Sequence, residues 1–210
     1  MRSYGQFCGL AKSLDVVGDR WTLLIVRELL LRGALRYTDL RTGLPGIATN
    51  LLADRLRDLE AAGIVRREAA PPPVATTLFH LTPRGTELAP AVLAIGRWGE
   101  ELITERDEQD AFCTHWLSLQ AKLHLADQAP DRPPVAIELR TGDEPLTIET
   151  VDGVVRTRPG PASEPDLVLT GPPELLVGVL TGRLSLRDAR TRGLEHSGTL
   201  NTLRRVQHRA

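Results

Sequence analysis

The stretch RYTDLRTGLPGIATNLLADRLRDLEAAG, Arg36 to Gly63, decides the fold of the first half of the chain. Tyr37 to Thr42 reads as a short helix and Gly43-Leu44-Pro45-Gly46 as a tight turn. A further helix then starts near Ala48 or Thr49, with Thr49 as its cap, and runs to Ala62. Gly63 stops it in the usual C-terminal position. Projected at about 100° per residue, Leu52, Leu56 and Leu59 fall on one face. Asn50, Ala53, Asp54 and Arg57 fall on or near the opposite one. The leucines must pack on a core, which leaves the other face either solvated or free to enter a groove. Asn50 can pair bidentately with adenine, and Arg57 with guanine or phosphate. Thr49 and the free N–H groups at the helix start suit a phosphate. Arg55 lies at the rim, within reach of a phosphate or of an acid at the core's edge.

Working outward, Cys8 to Val17 has a helical pattern broken by Gly18. Asp19 is the expected cap of a second helix, Arg20 to Leu31, with Trp21, Leu24, Ile25 and Leu29 at helical spacing. Glu28 and Arg32 sit one turn apart in it, and Gly33 ends it. After Gly63, Ile64 to Glu68 and Thr77 to Leu81 read as a hairpin whose stiff tip contains Pro71-Pro72-Pro73. Thr82 then caps a helix with Pro83 at its first position, expected to run to about Glu105. Its Leu88, Val92, Ile95, Gly99 and Leu102 recur at alternating spacings of 4 and 3, a coiled-coil-like seam with Trp98 beside it. The order helix-helix-helix-strand-wing-strand-helix is that of a winged helix-turn-helix, which lays the helix of Asn50 and Arg57 in the major groove. Arg36, Arg41, Arg66 and Arg67 are further phosphate candidates.

The chain has 210 residues, long for one ordinary domain and suited to two small ones. Hydrophobic residues make up 41% and charged residues 25%, which excludes wholesale disorder. No apolar run approaches the roughly 20 residues of a membrane span, so no membrane partner is expected. Met1 to Gly5 does not read as a secretory signal. Two cysteines, Cys8 and Cys113, make neither a disulfide scaffold nor a zinc framework. The expectation is a reduced cytoplasmic protein without metal or cofactor. The net charge of −1 hides a strong asymmetry. Arg2 to Arg67 carries eleven basic and seven acidic side chains, Glu68 to Asp110 three and eight, and Ala111 to Ala210 twelve of each. The first third is therefore basic, and its charge is nearly all arginine, the residue suited to bidentate phosphate and guanine contacts.

The segment Glu105 to Asp110 is charged and without apolar residues, and divides the chain into 1–104, a junction 105–110, and 111–210. In the second part, Phe112, Trp116, Leu119 and Leu123 form a helical stripe. Val135 to Arg140, Leu146 to Thr150, Val154 to Thr157 and Asp166 to Thr170 alternate as strands, with a hairpin signal at Asp152-Gly153. Helices follow at Glu174 to Leu180 and Ser185 to Arg190, then a strand at Leu194 to Gly198 and a helix at Thr199 to Val206. The whole is an α+β pattern. Ile137, Leu139, Ile148 and Leu169 supply sheet faces, and Phe112, Trp116, Leu119, Leu176, Val179 and Leu180 supply helix faces. If the two close on each other they are a core; if they leave a gap they line a pocket for an apolar ligand.

Two resemblances follow. Leu14-Asp15-Val16-Val17-Gly18-Asp19-Arg20-Trp21-Thr22-Leu23, Leu44-Pro45-Gly46-Ile47, Asn50-Leu51-Leu52, Arg55-Leu56-Arg57-Asp58-Leu59, Ala62-Gly63-Ile64-Val65, Leu81-Thr82-Pro83-Arg84-Gly85 and Trp98-Gly99 resemble the HxlR-type regulators over roughly residues 7–104. That resemblance implies a homodimeric transcription factor on a palindromic double-stranded DNA operator. It implies dimerisation through the N-terminal helix, with Leu10, and the helix after the wing, with Leu88, Val92, Ile95, Trp98 and Leu102. Some members sense oxidants or electrophiles through a cysteine at the place of Cys8, usually followed by proline; here Gly9 follows. The second part, through Asp166-Leu167-Val168-Leu169-Thr170-Gly171-Pro172-Pro173-Glu174-Leu175-Leu176, Leu180-Thr181-Gly182-Arg183-Leu184 and Gly198, resembles the sterol carrier protein-like fold. It implies a curved sheet with helices on one side and an apolar tunnel between them for a hydrophobic small-molecule effector.

Enzyme motifs such as G-x-S-x-G, a P-loop or G-x-G-x-x-G do not occur, and Glu195-His196-Ser197 on a strand would point to opposite faces. The expectation is therefore a regulator, not an enzyme. The alternatives are a regulator that senses through Cys8 with a purely structural second domain, or a lipid-carrier module whose winged helix contacts proteins.

Overall fold

The computed structural model describes residues 3–70, 76–103, 107, 109–142 and 144–207. The expected proline tip and Glu105 lie outside the described residues. The chain forms two compact units, Met1–Ile95 and Gly96–Ala210.

The first unit holds α1 (Gly9–Val17), α2 (Thr22–Arg32), β1 (Leu35–Arg36), α3 (Tyr37–Thr42), α4 (Thr49–Ala61), β2 (Val65–Ala69), β3 (Thr77–Leu81) and α5 (Pro83–Thr86), and α6 (Ala89–Gly99) begins in it. The sheet order is β1-β3-β2, antiparallel throughout. Strand β1 was not legible: two residues, paired Leu35 with Phe79 and Arg36 with Leu78, are too few to show alternation. Ile25, Leu29, Leu40, Leu44, Leu52, Leu56, Leu59, Ile64 and Val65 form one buried core.

Three expected boundaries need correction. Asp19 does not cap α2; Trp21 holds that place with φ of 79°, and the Asp19 carboxylate instead pairs with Arg55. Thr49 does not cap α4; Ala48 is the extended residue before it and contributes no side-chain bond. The helix opened by Thr82 and Pro83 is not continuous. It stops at Thr86, resumes at Ala89 and tightens to a 3-10 turn at Glu100–Leu102. Pro90 explains the break, because it has no N–H to donate to the carbonyl four residues back. Other expectations agree. The Thr82 hydroxyl accepts the Gly85 N–H at 3.1 Å. Gly63, at φ of 70°, closes α4 with the Ile64 N–H on the Leu59 carbonyl at 2.9 Å and its own N–H on Glu60 at 3.0 Å. Gly85 is required by close approach, since a β-carbon there would collide with the Ile64 carbonyl.

The second unit opens with the end of α6 and the 3-10 turn. It continues with a 3-10 turn at Thr114–Trp116, α7 (Leu117–His124), β4 (Ala136–Arg140), β5 (Leu146–Val151), β6 (Val154–Pro159), β7 (Leu167–Thr170), α8 (Pro173–Leu180), α9 (Leu186–Thr191), β8 (Glu195–Gly198) and α10 (Asn201–Val206). Its sheet runs β6-β5-β4-β7-β8, with β4 and β7 parallel and the other pairs antiparallel. Each strand and helix read from alternation or capping in this half lies within two residues of its expected position. The core combines Leu117, Ile137, Leu139, Leu146, Ile148, Leu167, Leu169, Leu175, Leu176, Val179, Leu180, Leu203 and Val206. The C-terminal helix is tied down by Arg205. Its guanidinium grips Asp127 through two bonds of 2.9 and 3.0 Å and also donates to the Pro133 carbonyl at 2.6 Å.

Candidate nucleic-acid interface

Helix α4 is built to present one face. Leu52, Leu56 and Leu59 are buried, so the helix cannot rotate without exposing them. The same register leaves Asn50 and Arg57 exposed and Ala53 and Asp54 half-buried on the other side. These four stand at the i, i+3, i+4, i+7 positions of one stripe. Asn50 turns its Oδ1 onto the Leu51 N–H at 3.0 Å, and Arg57 rests against Asp54, one turn back. Thr49 is exposed in the first turn.

Three contacts fix where that stripe sits. The Tyr37 hydroxyl, from the first turn of α3, donates to the Thr49 carbonyl at 2.5 Å and pins the start of α4. Arg55 pairs with Asp19, in the loop between α1 and α2, and with Asp58 at 3.1 Å. Of the two partners proposed for Arg55, the structure provides the acid. At the other end Arg67 of β2 makes a two-bond pair with Glu60 at 2.9 and 2.5 Å, tying the hairpin base to the last turn of α4. That pairing holds Glu60 below the usual carboxylate range and raises the Arg67 guanidinium. Arg66 pairs with Glu68, whose carboxyl is lowered chiefly by that hydrogen bond. Both wing arginines are thus exposed but already partnered within the free chain. Arg36 is exposed at the start of α3, its backbone N–H held by Asp39 at 3.1 Å.

Behind this surface lies a feature that sequence reading missed. Glu28 is 0% exposed although its side chain ends in a carboxyl group. Arg27 donates to it at 2.7 and 3.1 Å, and Arg32 stands 3.7 Å away. Its carboxylate fills the space where a side chain at Gly43 would go, so α2 packs directly on the turn that joins α3 to α4. The Glu28–Arg32 spacing was visible; its burial was not, because it depends on a glycine fifteen residues on.

The other expected residues divide clearly. Leu88 and Val92 pack on the first unit's core. Leu10, at 70% exposure, Ile95, Trp98, at 73%, and Leu102 are exposed apolar side chains. Phe7 and Leu14 extend the exposed apolar face at Leu10. In the second unit Ile137, Leu139, Ile148, Leu169, Leu176, Val179 and Leu180 pack against one another in the core. Phe112 and Trp116 are half-buried and meet edge to face at 6.1 Å, and Leu119 is half-buried nearby on α7. Cys8 is exposed at the N-cap of α1, where the N–H groups of Ala11 and Leu10 lower its thiol below the ordinary range. Among the described residues no helix is long and apolar enough to cross a membrane, and no group of three or more His, Cys, Asp or Glu could hold a metal ion.

Comparison with known proteins agrees with this geometry. The HxlR-like helix-turn-helix family model matches residues 16–107. The HTH-type transcriptional regulator YvaP of Bacillus subtilis (strain 168) is 35% identical over 92 residues, 44% of this chain and 84% of the relative. The HTH-type transcriptional regulator sll1512 of Synechocystis sp. is 33% identical over 101 residues, 48% of this chain and 74% of the relative. A solved structure of the redox regulator HypR in its oxidized form is 34% identical, with 48% of this chain and 99% of that one covered at a TM-score of 0.43. A face of Asn50 and Arg57 on a helix held by a winged core, and relatives matched over most of their own length, lead to one conclusion: the chain belongs to the HxlR-like helix-turn-helix family of DNA-binding transcriptional regulators.

Proposed function

We propose that the protein acts as a homodimer on a palindromic operator. Helix α4 lies in the major groove, with Asn50, Ala53, Asp54 and Arg57 toward base edges. Arg36, Thr49, Arg66 and Arg67 meet the backbone. The observation that carries this is the rigid partition of α4, with three buried leucines on one side and the exposed Asn50–Arg57 stripe on the other. The two wing arginines are intramolecularly paired, so reaching phosphate means exchanging a surface carboxylate for it, a swap of low cost. The exposed apolar side chains of Leu10 and Leu14 on α1, with Phe7 just ahead of it, support its use as a dimer surface. Residues 1–104 form the DNA-binding and dimerising part in this reading. Residues 111–210 form a sterol carrier-like part that takes a hydrophobic effector beside Phe112, Trp116 and Leu119, parting the sheet from its helices. Asn50→Ala or Arg57→Ala should weaken operator binding by about 1–3 kcal/mol, measured by fluorescence anisotropy. Equal losses on operator and random duplex would show that neither side chain reads bases.

A second reading has its own observation. Cys8 is accessible, and its thiol is lowered by two backbone N–H groups at a helix start, the setting of a reactive thiolate. In this reading Cys8 is the sensor and oxidation at the α1 surface changes operator binding. Cys8→Ser protein that still releases its operator on oxidant treatment would end it.

A further inference from the structure

The second unit carries a cleft unrelated to its apolar core. Its volume is about 620 Å³, within the ordinary range for small-molecule sites, and Arg187, Arg190, Thr191, Leu194, Glu195 and His196 line it. The wall is one stripe of α9: positions 187, 190 and 191 are spaced i, i+3, i+4, so two guanidinium groups and a hydroxyl stand side by side. The opposite wall is β8, whose His196 pairs in register with Leu169 of β7. Buried Leu194 contributes an apolar floor between them.

The cations in this cleft outnumber the acids, two guanidinium groups to the one carboxylate of Glu195. Elsewhere in the unit Arg140, Arg158 and Arg205 each find a carboxylate. Among the described residues, the side chains of Arg187, Arg190 and His196 make no hydrogen bond or ion pair. The neighbouring acid, Asp188, is held by Ser185, which bonds its Oδ2 at 2.6 Å. Glu195 is the single carboxylate in the lining, and the register that sets His196 beside Leu169 sets Glu195 beside Thr170. The scaffold is firm: Ala189 is fully buried, and the Leu194 N–H closes α9 on the Ala189 carbonyl at 3.0 Å.

We propose that this α9–β8 cleft is a binding site for a small dianion, a phosphate ester or a di- or tricarboxylate of metabolite size. Two adjacent guanidinium forks match the planar oxygens of such a group, and the His196 ring adds hydrogen-bonding capacity, while the Thr191 hydroxyl already donates to the Asp188 carbonyl at 2.8 Å. Leu194 takes the apolar body of the ligand.

Titration calorimetry on the full chain tests it, with AMP and pyrophosphate as phosphate probes, citrate as the carboxylate probe and adenosine as the neutral control. At least one anion should bind once per chain and adenosine should not. Arg187→Gln with Arg190→Gln should weaken that binding roughly tenfold or more, the loss expected when charge-assisted hydrogen bonds go. Both arginines are exposed and unpaired, so the double variant should keep its melting temperature. If it does not, Arg190→Lys, which keeps the charge and loses the fork, should show a weakened anion affinity. Binding of none of the three anions, or equal binding by wild type and variant, overturns the proposal. So does a variant that loses affinity only for random-sequence duplex DNA, which would make the arginines backbone contacts instead.

Discussion

Cys8 shows what one position can and cannot reveal in advance. The thiol was visible as a residue, but its lowered pKa depends on the N–H groups of Ala11 and Leu10 at the start of α1. A lowered thiol pKa means that thiolate is already present at pH values where an ordinary cysteine, near about 8.5, is protonated. Alkylation of Cys8 by iodoacetamide, followed by peptide mass mapping against pH, should therefore have a midpoint below that of the same cysteine in the urea-unfolded chain. A midpoint at or above that value would remove the basis for a sensing thiol. At this scale the buried and exposed faces of α4 were legible, because Leu52, Leu56, Leu59 and the Asn50–Arg57 stripe follow from helical projection alone. The partners of Arg55 and Tyr37 were not. Asp19 lies 36 residues from Arg55, and Thr49 lies 12 from Tyr37, and no local pattern links them.

Elements are positioned by few contacts, and two of these can be tested. The Tyr37 hydroxyl bonds the Thr49 carbonyl at the first turn of α4, so Tyr37 is a positioning residue for the reading helix. Tyr37→Phe should cost about 0.5–1.5 kcal/mol of stability. It should also weaken operator binding more than binding to random duplex, since misplacement affects base contacts first. Equal losses on both DNAs would mean that the bond only stabilises the fold. In the second unit, α10 hangs on Asp127, whose side chain is 1% exposed and is held below the usual carboxylate range mainly by the Arg205 hydrogen bonds. Arg205→Met leaves a buried carboxylate without its cation and should cost about 3–5 kcal/mol at neutral pH. A carboxylate whose folded pKa is depressed stabilises the fold above its unfolded pKa of about 3.9 and loses that contribution as pH falls toward the folded value. The gap between wild type and variant, measured by urea denaturation, should therefore narrow below about pH 4. A gap that stays constant would mean that Arg205 acts through packing and its bond to the Pro133 carbonyl. Strands β4 and β5 were read closely because their sequences alternate over several residues. The long helix after the wing was misread because a heptad-like spacing survives Pro90, while helix continuity does not.

For the whole molecule, the net charge of −1 obscures a basic first third, an acidic middle and an arginine-rich C-terminus. DNA affinity depends on the local charge that meets phosphate, and each neutralised phosphate contributes about −0.9 to the slope of log K against log salt. A homodimer on a palindrome carries two reading heads spaced by one helical turn, about 34 Å, so its slope is twice that of one head. The exposed apolar side chains Leu10 and Trp98, one in each unit, allow a test of that doubling. Leu10→Asp with Trp98→Asp puts charges where a dimer would bury apolar area, and light scattering should show a monomer where the wild type is a dimer. Linking two heads makes the second binding event effectively intramolecular, so the monomeric variant should lose well over tenfold in operator affinity. Its salt slope should fall by about half, while its affinity for an isolated half-site stays close to wild type. A wild type that is monomeric on the operator would overturn the dimer, as would a monomeric variant with unchanged operator affinity and slope. An intact half-site affinity matters as much as the losses, because it separates a broken interface from a broken fold.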